Sequence, residues 1–418
     1  MKTTTSLKLV LAAFVIVLIQ SCKKEPLDSA SSDTSAFDSK IARDWITLQR
    51  RIIKETPGYT PPVAARSFGY AGVTLYQSLY QGMPGYKSLE GKINGLDEKS
   101  LTKAESNKSY HWALVANAAM AEYYRNQFKT ASASNKARID SLETAFIFSF
   151  KNSVDQEVLN LSVGYGKIVG DEISQYAKSD GQDEAYNTNF PAYVMPTGPG
   201  KWVPTGANKT PLQPYWGSVR PFINTNISLS QPPPPLAFSS APSSKFYAEG
   251  LEVYNTWKNL TPEQKEIAQF WSDDPGTTST PSGHTFYIAS LVLESQRADL
   301  AKAAEVYCKL GIAVHDAFIS CWKCKYEHNV IRPVSYINQI IDPSFQSILN
   351  TPPFPEYTSG HSAQSGAGFT ILSEMFGYNL GFSDFSNYGR TDINGSPRNY
   401  KNFMEAANEA AISRLYGG

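Results

Sequence analysis

The chain has 418 residues, 41% of them hydrophobic, with 38 Lys and Arg balancing 38 Asp and Glu. Such a length and apolar content describe one large or two ordinary globular domains with ample core. Zero net charge argues against nucleic acid as a partner, because phosphate-backbone binding needs an excess of Lys and Arg on one face, so any anion site must be local.

At the N-terminus Lys2 and Lys8 precede an uninterrupted apolar run, Leu9 to Ile19. The run is too short to span a bilayer and reads as a signal-peptide core. Leu18-Ile19-Gln20-Ser21-Cys22 resembles a bacterial lipobox. Residues 1–22 are therefore expected to be a lipoprotein-type signal, with a lipid on Cys22 anchoring an exported, periplasmic or cell-surface protein to a membrane. An ordinary cleaved signal is the alternative. Residues 23–36, with their Ser, Asp and Ala, read as a flexible tether.

Beyond the tether, Ile41, Trp45, Leu48 and Ile52 recur at the period of one buried helix face, and Val154, Val158, Leu161, Tyr165 and Ile168 repeat the signature. Thr60-Pro61-Pro62 supplies an N-cap with proline in the first turn of a helix reaching Tyr80. Further helical stretches are predicted over 103–128, 134–149, 245–257, 285–324, 361–376 and 402–416. No convincing alternating strand is present, so the fold class is all-α. Residues 190–244 carry too many prolines for regular elements, but Trp202, Tyr215, Trp216 and Phe222 among them point to an ordered, aromatic-packed crossover rather than a disordered linker. This segment separates an N-terminal helical half, 37–189, from a C-terminal half, 245–418, that holds every candidate for chemistry.

Five histidines can be weighed singly. His111 and His315 read as packing or surface residues, His328 as a possible lining residue, and no His/Cys pattern suggests zinc. Cys321-Trp322-Lys323-Cys324 has thiol-oxidoreductase spacing but sits late in a helix, without a preceding strand, and reads as packing. Lys325 is expected at a helix end, with Arg332 on the turn before Pro333. Thr358-Ser359-Gly360-His361 stands where a helix begins, so free backbone N–H groups, a hydroxyl and a positive helix end meet at one point. Arg414 shares a helix face with Phe403, Ala407 and Ala410, so its guanidinium should point inward. If Lys325, Arg332 and Arg414 converge to about 4 Å, each pair repels by roughly 4 kcal/mol at an effective dielectric of about 20, which a multiply charged anion relieves.

In order, these parts resemble the superfamily of vanadium-dependent haloperoxidases and type-2 phosphatidic acid phosphatases: Lys-x6-Arg-Pro, Pro-Ser-Gly-His, then Ser-Arg-x5-His. Here they read Lys325 to Pro333, Thr358 to His361 with threonine for proline, and Ser413-Arg414. Trp45, Tyr59-Thr60-Pro61-Pro62, Lys201-Trp202-Val203-Pro204 and Trp271-Ser272-Asp273-Asp274 look like the bacterial haloperoxidase branch. The resemblance implies helical bundles of the haloperoxidase and acid phosphatase type. It implies vanadate, for which phosphate can substitute, held by Lys325, Arg332, Ser359, Gly360 and Arg414. Hydrogen peroxide and iodide or bromide would be the substrates, Lys325 would polarise the reacting oxygen, and His361 would serve as acid or base. The family's vanadium-ligating histidine falls two residues beyond Gly418, so no metal ligand is expected within the chain. The chain accordingly reads as truncated and weak in turnover.

Two alternatives share these residues: an acid phosphatase acting on a phosphate ester through a phospho-histidine, and a non-catalytic lipoprotein using its aromatics to bind glycan or protein. A second match, Pro281-Ser282-Gly283-His284, precedes Lys325 and is out of order. It reads as a helix start, with Ser282 available as a cap and an apolar helix from Phe286 to Leu300.

Overall fold

The computed structural model describes residues 33–206 and 208–418. The expected signal and lipid-attachment segment lies outside them, as does the tether to residue 32. The last part of the predicted tether is packed. Thr34–Ala36 form a single 3-10 turn, and the buried Thr34 hydroxyl donates to the Gly82 carbonyl at 2.9 Å.

Helix α1 (Lys40–Glu55) buries Ile41, Trp45, Leu48 and Ile52, the face predicted from their spacing. Helix α2 (Pro61–Leu79) starts at the Thr60-Pro-Pro signal, although the Thr60 hydroxyl bonds Asn189 Oδ1 at 2.7 Å instead of capping the helix. All of α2 except Pro61 and Tyr76 is buried, the pattern of a helix surrounded by others. Helices α3 (Trp112–Gln127), α4 (Ala133–Phe150) and α5 (Gln156–Lys178) follow. The stretch predicted as helix from 103 is irregular until Trp112, where His111 caps α3 by accepting from the Leu114 N–H.

The crossover contains the short helix α6 (Asn224–Leu229) and one 3-10 turn, Trp216–Ser218; Trp202, Trp216 and Phe222 are buried, whereas Tyr215 is exposed. Asp316 fastens the crossover by accepting from the Phe222 and Ile223 N–H groups at 2.8 and 3.0 Å, and burial raises its carboxyl to about 6.

Helices α7 (Lys245–Lys258), α8 (Pro262–Phe270), α9 (Thr280–Ser295), α10 (Leu300–His328), α11 (Pro333–Ile340), α12 (Gly360–Phe376) and α13 (Phe403–Gly417) complete the chain. The continuous helix predicted over 285–324 is broken after Ser295. Arg297 adopts a left-handed φ of 50°, and Asp299 starts α10 afresh by accepting from the Lys302 N–H at 2.7 Å. Ser282 is not a cap. It lies inside the first turn of α9, whose N-cap position is Ser279, and its buried hydroxyl has no partner. Two three-residue strands, β1 (Phe382–Asp384) and β2 (Arg398–Tyr400), pair antiparallel with Phe382 opposite Tyr400, so the fold is mostly rather than wholly helical.

Helix α2 packs on α10, α3 on α5, and α10 on α12, which in turn carries α13. The α2–α10 contact depends on glycine: a Cβ on Gly72 would stand 2.3 Å from the Tyr307 carbonyl oxygen, so only a bare backbone allows this approach. Arg66 of α2 forms a buried ion pair with Asp180, just past α5, at 2.6 Å. No described helix is long and apolar enough to cross a membrane.

Candidate functional site

The second half of the chain, with Thr60 and Pro61 from the start of α2 and Leu212 from the crossover, surrounds a cavity of about 520 Å³ whose lining includes Lys325, Arg332, Ser359, Gly360, His361 and Arg414. Residues separated by up to 89 positions meet there because α10, α12 and α13 pack in series.

Lys325 lies in the last turn of α10 and is 1% exposed. Its ammonium donates to the Pro355 and Glu356 carbonyls, both at 2.9 Å, and sits 4.9 Å from the centre of the Phe354 ring. Burial lowers its pKa to about 8, aided by the neighbouring Arg332 charge. Asn329, at φ 50°, ends α10, and Arg332 occupies the N-cap position of α11, so the chain turns sharply between the two cations. The Arg332 guanidinium stacks over the other cation's aromatic partner, 4.8 Å from Phe354, and pairs with Glu356 at 2.7 Å. The crossover braces this wall: the Leu212 N–H donates to the Pro353 carbonyl at 2.9 Å, and the Leu212 carbonyl accepts from Tyr326 at 2.7 Å.

Ser359 caps α12, its hydroxyl accepting from the Ser362 N–H at 3.2 Å, with Gly360 as the first helical residue. The positive helix end therefore faces the cavity beside the cations. His361, in the first turn, has a buried Nε2 without a hydrogen-bond partner. Burial first, then the Arg414 charge, holds its pKa well below the usual histidine range. The imidazole is therefore neutral, with a free nitrogen that can accept a hydrogen bond from a ligand, and a bound anion beside it would offset the burial and the Arg414 charge that oppose its protonation.

Arg414, in the last turn of α13, donates to the Ala268 carbonyl at 3.1 Å and the Ser413 hydroxyl at 3.0 Å. Burial lowers its pKa to about 10 against the opposing pull of Asp273 and Asp274, neither of which forms an ion pair with it. Its guanidinium fork thus has no carboxylate partner.

The structure corrects the simplest electrostatic expectation. Glu356, Asp273 and Asp274 line the same cavity, so three unrelieved cations do not face one another. None of the three carboxylates was assigned a role from the sequence; the Trp-Ser-Asp-Asp run was the only signal pointing to two of them. His328 is also not part of the lining. It packs at 5.9 Å against Tyr357, which is also outside the lining, whereas Trp322 reaches the cavity. Cys321 and Cys324 are buried free thiols whose pKa values burial raises, as packing residues require. Among the described residues, no group of three His, Cys, Asp or Glu side chains is arranged for a metal cation. The donors suit a tetrahedral oxyanion: two guanidinium groups, an ammonium, a hydroxyl and a helix N-terminus.

Residues 305–418 match the family described as the VCPO second helical-bundle domain. No curated protein matches the chain at a significant level. Among solved structures, holo-type and apo-type bacterial vanadium-dependent chloroperoxidases share the fold. The holo form has a TM-score of 0.65 at 15% identity over 88% of each chain, and the apo form 0.66 at 14% over 92% of this chain and 93% of that one. The structure described as the first bacterial vanadium-dependent iodoperoxidase aligns at 34% identity and a TM-score of 0.79, over 94% of this chain and 92% of the other. Identity at that level along nearly the whole length places the chain in the bacterial vanadium-dependent haloperoxidase family.

Proposed function

We propose that the chain is a vanadate-dependent haloperoxidase that oxidises iodide or bromide with hydrogen peroxide to hypohalous acid. The observation that carries this reading is the gathering of three cations, a helix N-terminus and an unpartnered imidazole on one cavity, in a chain 34% identical to an iodoperoxidase. Lys325, Arg332 and Arg414, the Ser359 hydroxyl and the Gly360 amide would hold vanadate. Arg414 without a carboxylate and His361 with an orphaned nitrogen are both features that such an anion would satisfy. Bound vanadate supplies a Lewis acid that needs no change of oxidation state.

The chain's own residues would do the rest. Lys325, held by two carbonyls, keeps one N–H free and would donate it to the oxygen to be transferred. His361 accepts a proton from hydrogen peroxide at Nε2 and returns it to the departing oxygen. A lipid on Cys22 would keep the exported protein at a membrane surface.

Assays of vanadate-dependent iodide and bromide oxidation, run beside phosphate-ester hydrolysis, test the proposal. Oxidation that requires vanadate and disappears in His361→Ala supports it. Ester hydrolysis without halide oxidation would shift the reading to an acid phosphatase in which His361 protonates the leaving group. Unchanged vanadate and phosphate binding in Arg332→Ala/Arg414→Ala would favour a non-catalytic binding protein.

A further inference from the structure

Pro281-Ser282-Gly283-His284 stands beside the cavity: Pro281 lines it, and His284 lies behind it, 3% exposed and stacked 4.5 Å from Trp271. His284 Nδ1 is 2.9 Å from Asp273 Oδ2, its Nε2 is 2.6 Å from Asp384 Oδ2, and the Ser386 hydroxyl is 2.8 Å from the same nitrogen. An imidazole facing a carboxylate at each nitrogen needs a proton on both. Burial opposes that charge, but Asp273 and Asp384 overcome it and raise the ring's pKa to about 10.

Asp273 has two cations within reach of its field. It lines the cavity and attracts the Arg414 guanidinium, yet its hydrogen bond goes to His284, and those of Arg414 go to Ala268 and Ser413. A carboxylate released beside a half-buried guanidinium would pair with it, and a guanidinium paired in that way has fewer donors and less net charge to offer a tetrahedral oxyanion. We propose that His284 is a positioning residue that holds Asp273 off Arg414, with Asp384 and Ser386 fixing the far side of the ring, so that Arg414 stays open to the oxyanion. The inference rests on the oxyanion reading of the cavity.

Titration calorimetry with inorganic phosphate tests it without peroxide or halide. His284→Phe keeps the stacking on Trp271 and removes both donors; it should bind phosphate roughly tenfold more weakly. Adding Asp273→Asn removes the competing charge and should restore affinity to within about twofold of the parent. A packing role alone would give no such recovery. Unchanged affinity in His284→Phe, or loss without recovery in the double variant, overturns the inference. If the single variant does not fold, the parent protein labelled with 15N-histidine supplies the second measurement. Both His284 ring N–H signals should be present and should shift as phosphate is added, and signals that stay fixed at saturation overturn the inference. Parent binding that is lost in Arg332→Ala places phosphate in this cavity, so a negative His284 result then counts against this inference alone. A parent that binds no phosphate overturns the oxyanion reading and this one together.

Discussion

Arg332 and Glu356 form a 2.7 Å ion pair on the wall of the cavity that also contains Lys325 and Arg414. The carboxylate moderates the charge of a site whose other two cations lack such a partner, because Lys325 and Arg414 bond only to carbonyls and a hydroxyl. Glu356→Gln keeps a hydrogen-bond acceptor for the guanidinium and removes the negative charge. Phosphate affinity should rise roughly three- to tenfold at low salt, with a smaller gain at high ionic strength because Glu356 is partly exposed. Calorimetric titration at two salt concentrations would check this, and weaker binding would show that Glu356 serves mainly to aim Arg332.

Arg414 is a half-buried cation without an anionic partner, an unfavourable arrangement in the absence of ligand. Arg414→Met should therefore leave the melting temperature unchanged or raised while weakening phosphate binding by about two orders of magnitude. Thermal melts with and without phosphate separate the two effects. A large drop in melting temperature without ligand would assign Arg414 a structural role.

Lys325 gives oxyanion binding a pH dependence. Its pKa of about 8 means that the ammonium is present below that pH and lost above it. An anion prefers the charged form, so affinity should fall as pH rises through about 8, by up to about tenfold per unit. Arg keeps its charge throughout this range. The ratio of parent to Lys325→Arg affinities, which cancels the ligand's own ionisation, should decline from pH 7 to 10; a flat ratio would contradict the assignment.

Asp180 receives Arg66 at 2.6 Å and the Tyr70 hydroxyl at 3.1 Å, joining the central helix α2 to the end of α5. Asp180→Ala strands a buried guanidinium, and denaturant unfolding should show a loss of about 3–5 kcal/mol. Thr60 and Pro61 at the start of α2 line the cavity, but Arg66 and Asp180 do not, so phosphate affinity of the folded fraction should be preserved.

Much of this protein is legible in its sequence because the signals are local. Apolar residues at helical spacing mark α1 and α13; the Thr-Pro-Pro start marks α2; and Ser359-Gly360 marks the first turn of α12. The Val154 to Ile168 repeat locates α5 but not its buried face: Val154 precedes the helix and Ile168 is exposed, while Tyr165, Val169 and Ile173 turn inward because Gly166 and Gly170 let α5 approach the backbone of α3. The ordered Lys325–Arg332, Ser359–His361 and Arg414 signals named the cationic side of the site. The break at Gln296–Asp299 was missed because Glu294, Gln296, Arg297 and Ala298 are all good helix formers with no Gly or Pro to mark a stop, and the β1–β2 pairing because three-residue strands are too short to show alternation. Tertiary structure alone decided the counter-charges. Glu356, Asp273 and Asp384 are unremarkable acids until packing removes water and brings Arg332 or His284 within hydrogen-bond distance. Residue order can indicate that cations were selected for an anion, but which carboxylate restrains which cation depends on distances of a few ångströms between segments far apart in the chain, where the electrostatic energy is largest.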